Sequence, residues 1–159
     1  MKKLRDLRAH LAATVPSLEK DPDRLEVYIE KGDIACRFGS LSFEYRYTAH
    51  ILVKDFADHA DTLIVPLLAW LSINQPDLLL DADKSDHAIR FDAEILDHEK
   101  TDVELMLDLA ERVIVSAAEQ PDHSVHYAAT HCDEPELPDC GGPAPWQIFI
   151  NGTPIEDME

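Results

Sequence analysis

Period-two alternation from Phe43 to Val53 constrains this chain more than any other feature. Phe43, Tyr45, Tyr47, Ala49, Ile51 and Val53 share one face, while Glu44, Arg46, Thr48, His50 and Lys54 share the other, with Leu52 the one apolar intruder. Such a pattern predicts a strand with one side in a core and one in water. At strand rise the run reaches roughly 35 Å, about twice an ordinary strand. A strand that long overhangs a small core, so part of it is expected to meet another subunit. The period then changes. Leu63, Ile64, Leu67, Leu68 and Leu71 recur at helical spacing and predict one apolar stripe.

The flanking segments fill in an α+β chain. Leu4, Leu7, Leu11 and Val15 predict an N-terminal amphipathic helix, ended by Pro16 or by Asp21-Pro22. Leu25, Val27 and Ile29 predict a first strand, Gly32-Asp33 a turn, and Ile34 to Phe38 a second short strand, with Gly39-Ser40 a kink. Asp58 or Asp61 is positioned to cap the central helix, which tolerates Pro66 near its first turn and stops at Gln75-Pro76. Ile89, Phe91, Ala93 and Ile95 predict a further strand. Val103, Leu105, Leu107 and Leu109 fit a strand facing a core, yet Val103, Met106, Leu107, Ala110, Ile114 and Ala117 fit a helix equally well. Val125 to Ala129 is a weaker strand signal. Residues 131–145 read as a Pro/Gly-rich loop leading to a C-terminal strand, 146–151, before the tight-turn pair Asn151-Gly152. That last strand is expected to pair with the main sheet or with a neighbouring subunit.

A length of 159 residues suits one domain, taken as 1–159, and suffices for a core. No apolar run approaches the ~18 residues of a membrane span. The charged N-terminus does not read as a secretion signal. Three cysteines, Cys36, Cys132 and Cys140, forbid an even disulfide framework and fit a reducing cytoplasm. The formal net charge of −18 argues against affinity for nucleic acid or anionic membranes. Lys2, Lys3, Arg5 and Arg8 are the basic exception; Asp81 to Asp102 and Asp133 to Asp139 are acidic stretches. Solubility is the plain reading of that charge. An acidic ring lumen through which DNA passes is the sharper one.

Chemistry-bearing motifs are sparse. There is no phosphate-binding glycine loop, dinucleotide fingerprint or nucleophile elbow. His123, His126, His131, Cys132 and Cys140 are ligand-capable, but no CxxC pair exists, and His123 and His126 fall on opposite sides of an extended segment. Asp81, Asp83 and Asp86, and likewise Asp55, Asp58 and Asp61, lack the glycine and terminal glutamate of a calcium loop; capping, by Asp58 and Asp61, and solvation explain them. His50 reads as a surface or interface residue, and Trp70 as packing beneath the sheet. No catalytic, cofactor-binding or metal residue is assigned.

The segments SLSFEYRYTAHILVKDF and DTLIVPLLAWLSINQPDLL carry a resemblance, supported by DPDRLEVYIEKGDIACR, ELMLDLAERVIVS and IFINGTPI. Together they resemble the tail completion protein R family of contractile-tailed phages, over nearly the whole chain. Only Asp122 to Pro145, with its His, Cys and Gly-Gly content, departs. The resemblance implies a mostly antiparallel sheet with one long strand, packed against an N-terminal and a central helix, in the manner of tail terminators. It also favours the strand reading after Val103, through Leu109 and on to Val115.

In function, the resemblance implies a non-enzymatic structural protein that caps the tail tube and sheath and prepares the tail for head joining. Its partners would be tube and sheath subunits and head–tail joining proteins. The assembled form would be a homo-oligomeric ring, in the host cytoplasm during assembly and in the virion tail afterwards. Two other classes compete: an acidic interaction module or inhibitor that engages a basic partner, supported by charge alone, and a metal enzyme built on the His/Cys segment.

Overall fold

The computed structural model describes residues 1–95, 100–119, 124–134, 149–150 and 153–154. Helix α1 (Lys2–Thr14) and the short α2 (Pro16–Lys20) come first, then β1 (Leu25–Cys36) and β2 (Phe43–Phe56). Helix α3 (Asp61–Asn74) follows, with two one-turn helices, α4 (Asp77–Leu80) and α5 (Ala82–Ser85). Strands β3 (Ile89–Ile95), β4 (Thr101–Glu119) and β5 (Val125–His131) complete the main sheet. Its order is β1-β2-β4-β3, with β5 also paired to β4, and every pairing is antiparallel. The fold is α+β, as expected.

Local chemistry explains the breaks. Val15 precedes a proline, which disfavours the helical region for it; its extended φ of −95° and ψ of 115° end α1 and let Pro16 open α2 at a position that lacks an N–H partner anyway. Leu7, Leu11, Val15 and Leu18 form the buried stripe. On α3 the buried stripe is Leu63, Leu67, Trp70 and Leu71, with Leu68 turned outward. Trp70 thus packs beneath the sheet, as expected. The expected aspartate caps are absent: Ala60 occupies the N-cap of α3 with no side-chain cap, Asp58 is exposed, and Asp61 lies in the first turn. The His59 carbonyl instead accepts the Thr62 hydroxyl at 2.7 Å and the Thr62 N–H at 2.9 Å. Pro66 falls inside α3, not in its first turn.

One sequence expectation for the strands is corrected. Gly32-Asp33 is no turn: β1 runs unbroken through it and contains the stretch read as a second strand up to Cys36. Between Ile29↔Ala49 and Gly32↔Tyr47 the strand gains one residue, a β-bulge. Gly32 is needed there because a Cβ would stand 2.9 Å from Tyr47 Cβ. Strand β2 is long, 14 residues, as expected, and β4 is longer still, 19 residues. The apolar side of β3 reaches the core only at Ile89, whereas Phe91 and Ile95 are 70% and 78% exposed. The helices do not reach that edge.

A second bulge lies between Val53↔Val103 and Phe56↔Thr101. Asp55 takes φ of 52° there, a left-handed conformation that Asp accepts more readily than most residues. The insertion reverses the phase of the strand, so Phe56 rather than Asp55 follows Val53 into the core. The core itself joins Leu7, Leu11 and Leu18 to Ala49, Ile51 and Val53, to Leu63, Leu67 and Leu71, and to Leu105 and Leu107. Each buried leucine contributes about 1.5–3 kcal/mol relative to exposure.

Strand β6 (Phe149–Ile150) pairs with β7 (Thr153–Pro154), and no pairing joins this small sheet to the main one among the described residues. The described part of the expected C-terminal strand, Phe149–Ile150, is therefore paired with Thr153–Pro154. The Asn151-Gly152 pair and all of 135–148 lie outside the described residues, and with them most of the loop expected over 131–145.

Candidate interaction surface

One face of the sheet is covered by α1 and α3; the other carries the polar side chains of β1, β2, β3 and β4, arranged as small paired groups. The Thr48 hydroxyl donates to Asp108 Oδ1 at 2.6 Å, and Arg90 grips the same carboxylate through both terminal nitrogens, at 3.1 and 3.2 Å. Arg90 holds the Asp108 carboxyl below its ordinary range; burial opposes this and Thr48 assists. Glu44 accepts from Arg46 at 2.6 Å and from Arg112 at 3.2 Å, and is likewise lowered, first by Arg46. These are charge-assisted bonds at a solvated surface, each a modest stabiliser.

His50, expected at the surface or at an interface, is not an exposed side chain here. It is buried on this polar face, its ring stacked on Tyr28 with centroids 5.0 Å apart, and its Nδ1 lies 2.7 Å from Glu104 Oε1. Tyr28 donates to the same oxygen at 2.8 Å. Hydrogen bonding, from His50 first and then Tyr28, holds the Glu104 carboxyl below its ordinary value. The three side chains together shield a patch between β1, β2 and β4.

On the helix-covered face sits a second polar group, at the N-terminus of α1. Glu111 is 3% exposed and accepts from the Lys2 backbone N–H at 2.8 Å and from the Tyr47 hydroxyl. Burial pushes the Glu111 carboxyl up, but these two donors, the chain's amino terminus and His131 outweigh it, and the net direction is down. Tyr47 is driven far above an ordinary phenol, by burial first and by Glu111 second. His131 Nδ1 lies 3.1 Å from Glu111 Oε2 without hydrogen-bond geometry. Around this group, Lys2 pairs with Asp133, and Lys3 reaches Glu134 at 2.7 Å and Gln75 Oε1 at 2.8 Å. The basic N-terminus is thus joined to the start of the second acidic stretch.

Gln75 also repairs the sheet edge. Strand β3 stops at the level of Leu107 and β5 starts at Val113, so the β4 edge between them has no strand beside it. Gln75 Oε1 accepts the Ala110 N–H at 3.1 Å in place of one. The open hollow at this notch is lined by Arg90, Asp108, Arg112 and Lys84, groups already engaged by opposite charges.

Other residues singled out by sequence stay apart. His126 is exposed on β5, His131 and Cys132 are half-buried beside Glu111, and His123 and Cys140 lie outside the described residues. Among the described residues no three His, Cys, Asp or Glu groups are placed to hold a metal ion. Asp81 caps α5 by accepting the Asp83 N–H at 3.0 Å, which explains one member of that aspartate cluster. No helix among the described residues is long and apolar enough to cross a membrane. Sequence reasoning passed over Glu111, although a signal was present: it follows Leu105, Leu107 and Leu109 at a core-facing position of the alternation. Glu104, Gln75 and Lys3 gave none.

Sequence comparison supplies first the class, that of phage tail proteins. The chain belongs to the family described as P2 phage tail completion protein R (GpR), whose model matches residues 1–135. It is 37% identical, over 154 residues and 96% of both chains, to tail completion protein R of Escherichia phage P2. The family match reaches into the Asp122–Pro145 segment, and the alignment to the P2 protein extends through nearly all of the chain. No solved structure matches.

Proposed function

We infer that this chain completes a phage tail by binding the end of the polymerised tube, and the adjoining sheath, as a homo-oligomeric ring. The opposite face of that ring receives the head–tail joining proteins. Catalysis plays no part and no resident cofactor is needed; residues 1–159 act as one domain, assembled in the host cytoplasm and retained in the virion tail. The mechanism is geometric. One surface copies the contacts of the next tube subunit, while the other offers none, so polymerisation stops.

The observation that carries this reading is the 37% identity to the P2 tail completion protein across 96% of both chains. Physical features support it. The polar sheet face holds its charges in mutual pairs, which suits a rigid contact surface more than a reactive one, and exposed apolar groups such as Phe38 and Leu41 gather at the β1–β2 hairpin tip. Electron microscopy of tails produced without this protein should show tubes of uncontrolled length that fail to join heads. Tails of normal length that join heads normally would overturn the reading.

A further inference from the structure

Beyond Val113 the main sheet narrows to two strands. β2 ends its pairing with β4 at Phe43↔Val113, and the Ser42 hydroxyl accepts the Val115 N–H at 3.0 Å as the last contact on that side. From there β4 continues to Glu119 with β5 alone beside it, in register from Val113↔His131 to Glu119↔Val125. The result is a two-stranded arm about 20 Å long at ordinary strand rise. An isolated ribbon of this kind is marginal in water. Here its apolar groups are exposed on both faces: Ile114 on one, 55% exposed, and Val125 and Tyr127 on the other, 49% and 62% exposed.

Its chemistry contrasts with the rest of the molecule. In a chain with 29% charged residues and a net charge of −18, the paired segments VIVSAAE and VHYAATH contain a single charge, Glu119. The edge of β5 has no proline and no bulge, and no further strand pairs with it among the described residues. The opposite edge of the sheet, β1, is defended by a bulge and by Glu26, Glu30, Lys31 and Asp33.

We propose that the β4–β5 arm is the element through which one copy of this chain docks onto a second copy. Charge selects that occupant. Two molecules of net −18 repel wherever their acidic surfaces approach, and a neutral surface on each lets them meet without that cost. A basic partner would instead be met by a cluster of carboxylates, and the arm has only one, Glu119. Strand addition along the β5 edge supplies backbone hydrogen bonds, and Tyr127 and Val125 supply apolar area. Each face of the arm offers on the order of 200 Å², from its length and a two-strand width, well short of the roughly 800 Å² per partner of a stable interface. Association through the arm is therefore weak in free solution and is completed on a template. This proposal rests on the ring reading above, but is tested apart from it.

Sedimentation of the full chain over a range of concentrations, up to millimolar, should show reversible self-association. The double substitution Val125→Asp and Tyr127→Asp should weaken it at least tenfold while leaving the circular dichroism spectrum and melting temperature unchanged. Phe91→Asp, on exposed β3, should leave association unchanged. A wild-type chain that stays monomeric throughout, or a double variant that associates as tightly as wild type, would overturn the proposal. So would a double variant that self-associates normally but no longer binds tail tubes, since the arm's occupant would then be the tube. In each case tail length in the deletion strain still judges the tail-completion reading separately.

Discussion

The Lys2 backbone N–H donates to Glu111 Oε2 at 2.8 Å, joining the first turn of α1 to a strand 109 residues away. Met1 offers α1 no side-chain cap. Glu111 does that work from β4 and places a negative charge where the helix dipole favours one. Because the Tyr47 hydroxyl donates to the same carboxylate, the group fixes α1 against both central strands.

Glu111 should make the fold acid-sensitive. Its carboxyl lies below its ordinary 4.5, so its stabilising contribution is present above that value and is lost as pH falls through the depressed folded value. Glu111→Gln should lower stability at pH 7 by about 1–3 kcal/mol and flatten the dependence below about pH 4.5. Urea titrations of both proteins at several pH values check this; parallel pH profiles would contradict it.

Gly32→Ala should destabilise the chain, although glycine to alanine usually helps a strand. The added methyl would stand 2.9 Å from Tyr47 Cβ and 3.1 Å from the Arg46 carbonyl, both on the neighbouring strand. Overpacking of this kind costs about 1–3 kcal/mol. Thermal melts should show a lower midpoint, and a midpoint equal to wild type would mean that β1 shifts freely.

Leu67→Ala should cost about 2–5 kcal/mol, because Leu67 is 0% exposed between α3 and the sheet. Leu68→Ala, one residue on and facing outward, should change stability by well under 1 kcal/mol. Urea titration of the pair tests the rotation of α3 directly.

Lys3→Met keeps the apolar stem but removes donors to Gln75 and Glu134. A loss of about 1.5–3 kcal/mol is expected, the range for hydrogen bonds to charged groups. Hydrogen exchange should also quicken at Ala110, whose N–H relies on the same Gln75 oxygen. Unchanged exchange there would separate the two contacts.

Alternation and helical spacing were enough to determine which side chains share a face: Tyr47 with Ala49, Ile51 and Val53, or Leu63 with Leu67 and Leu71. Local chemistry also marked where α1 and α3 stop, since proline and its preceding residue act within two or three positions of themselves. The ambiguous stretch after Val103 proved to be a strand because pairing on both sides, with β2 and with β3 and β5, outweighs a helical periodicity that local sequence left equally plausible. How far the helical layer extends over the sheet is a matter of tertiary contact, so periodicity placed Phe91 and Ile95 on the correct face yet could not show that this face is bare there. The same limit hid the bulge at Gly32, which only the position of Tyr47 on the next strand makes intelligible. The groups around Glu111, His50 and Gln75 were likewise decided by the fold, because their hydrogen bonds join residues from 35 to 109 positions apart and no local pattern encodes such a meeting.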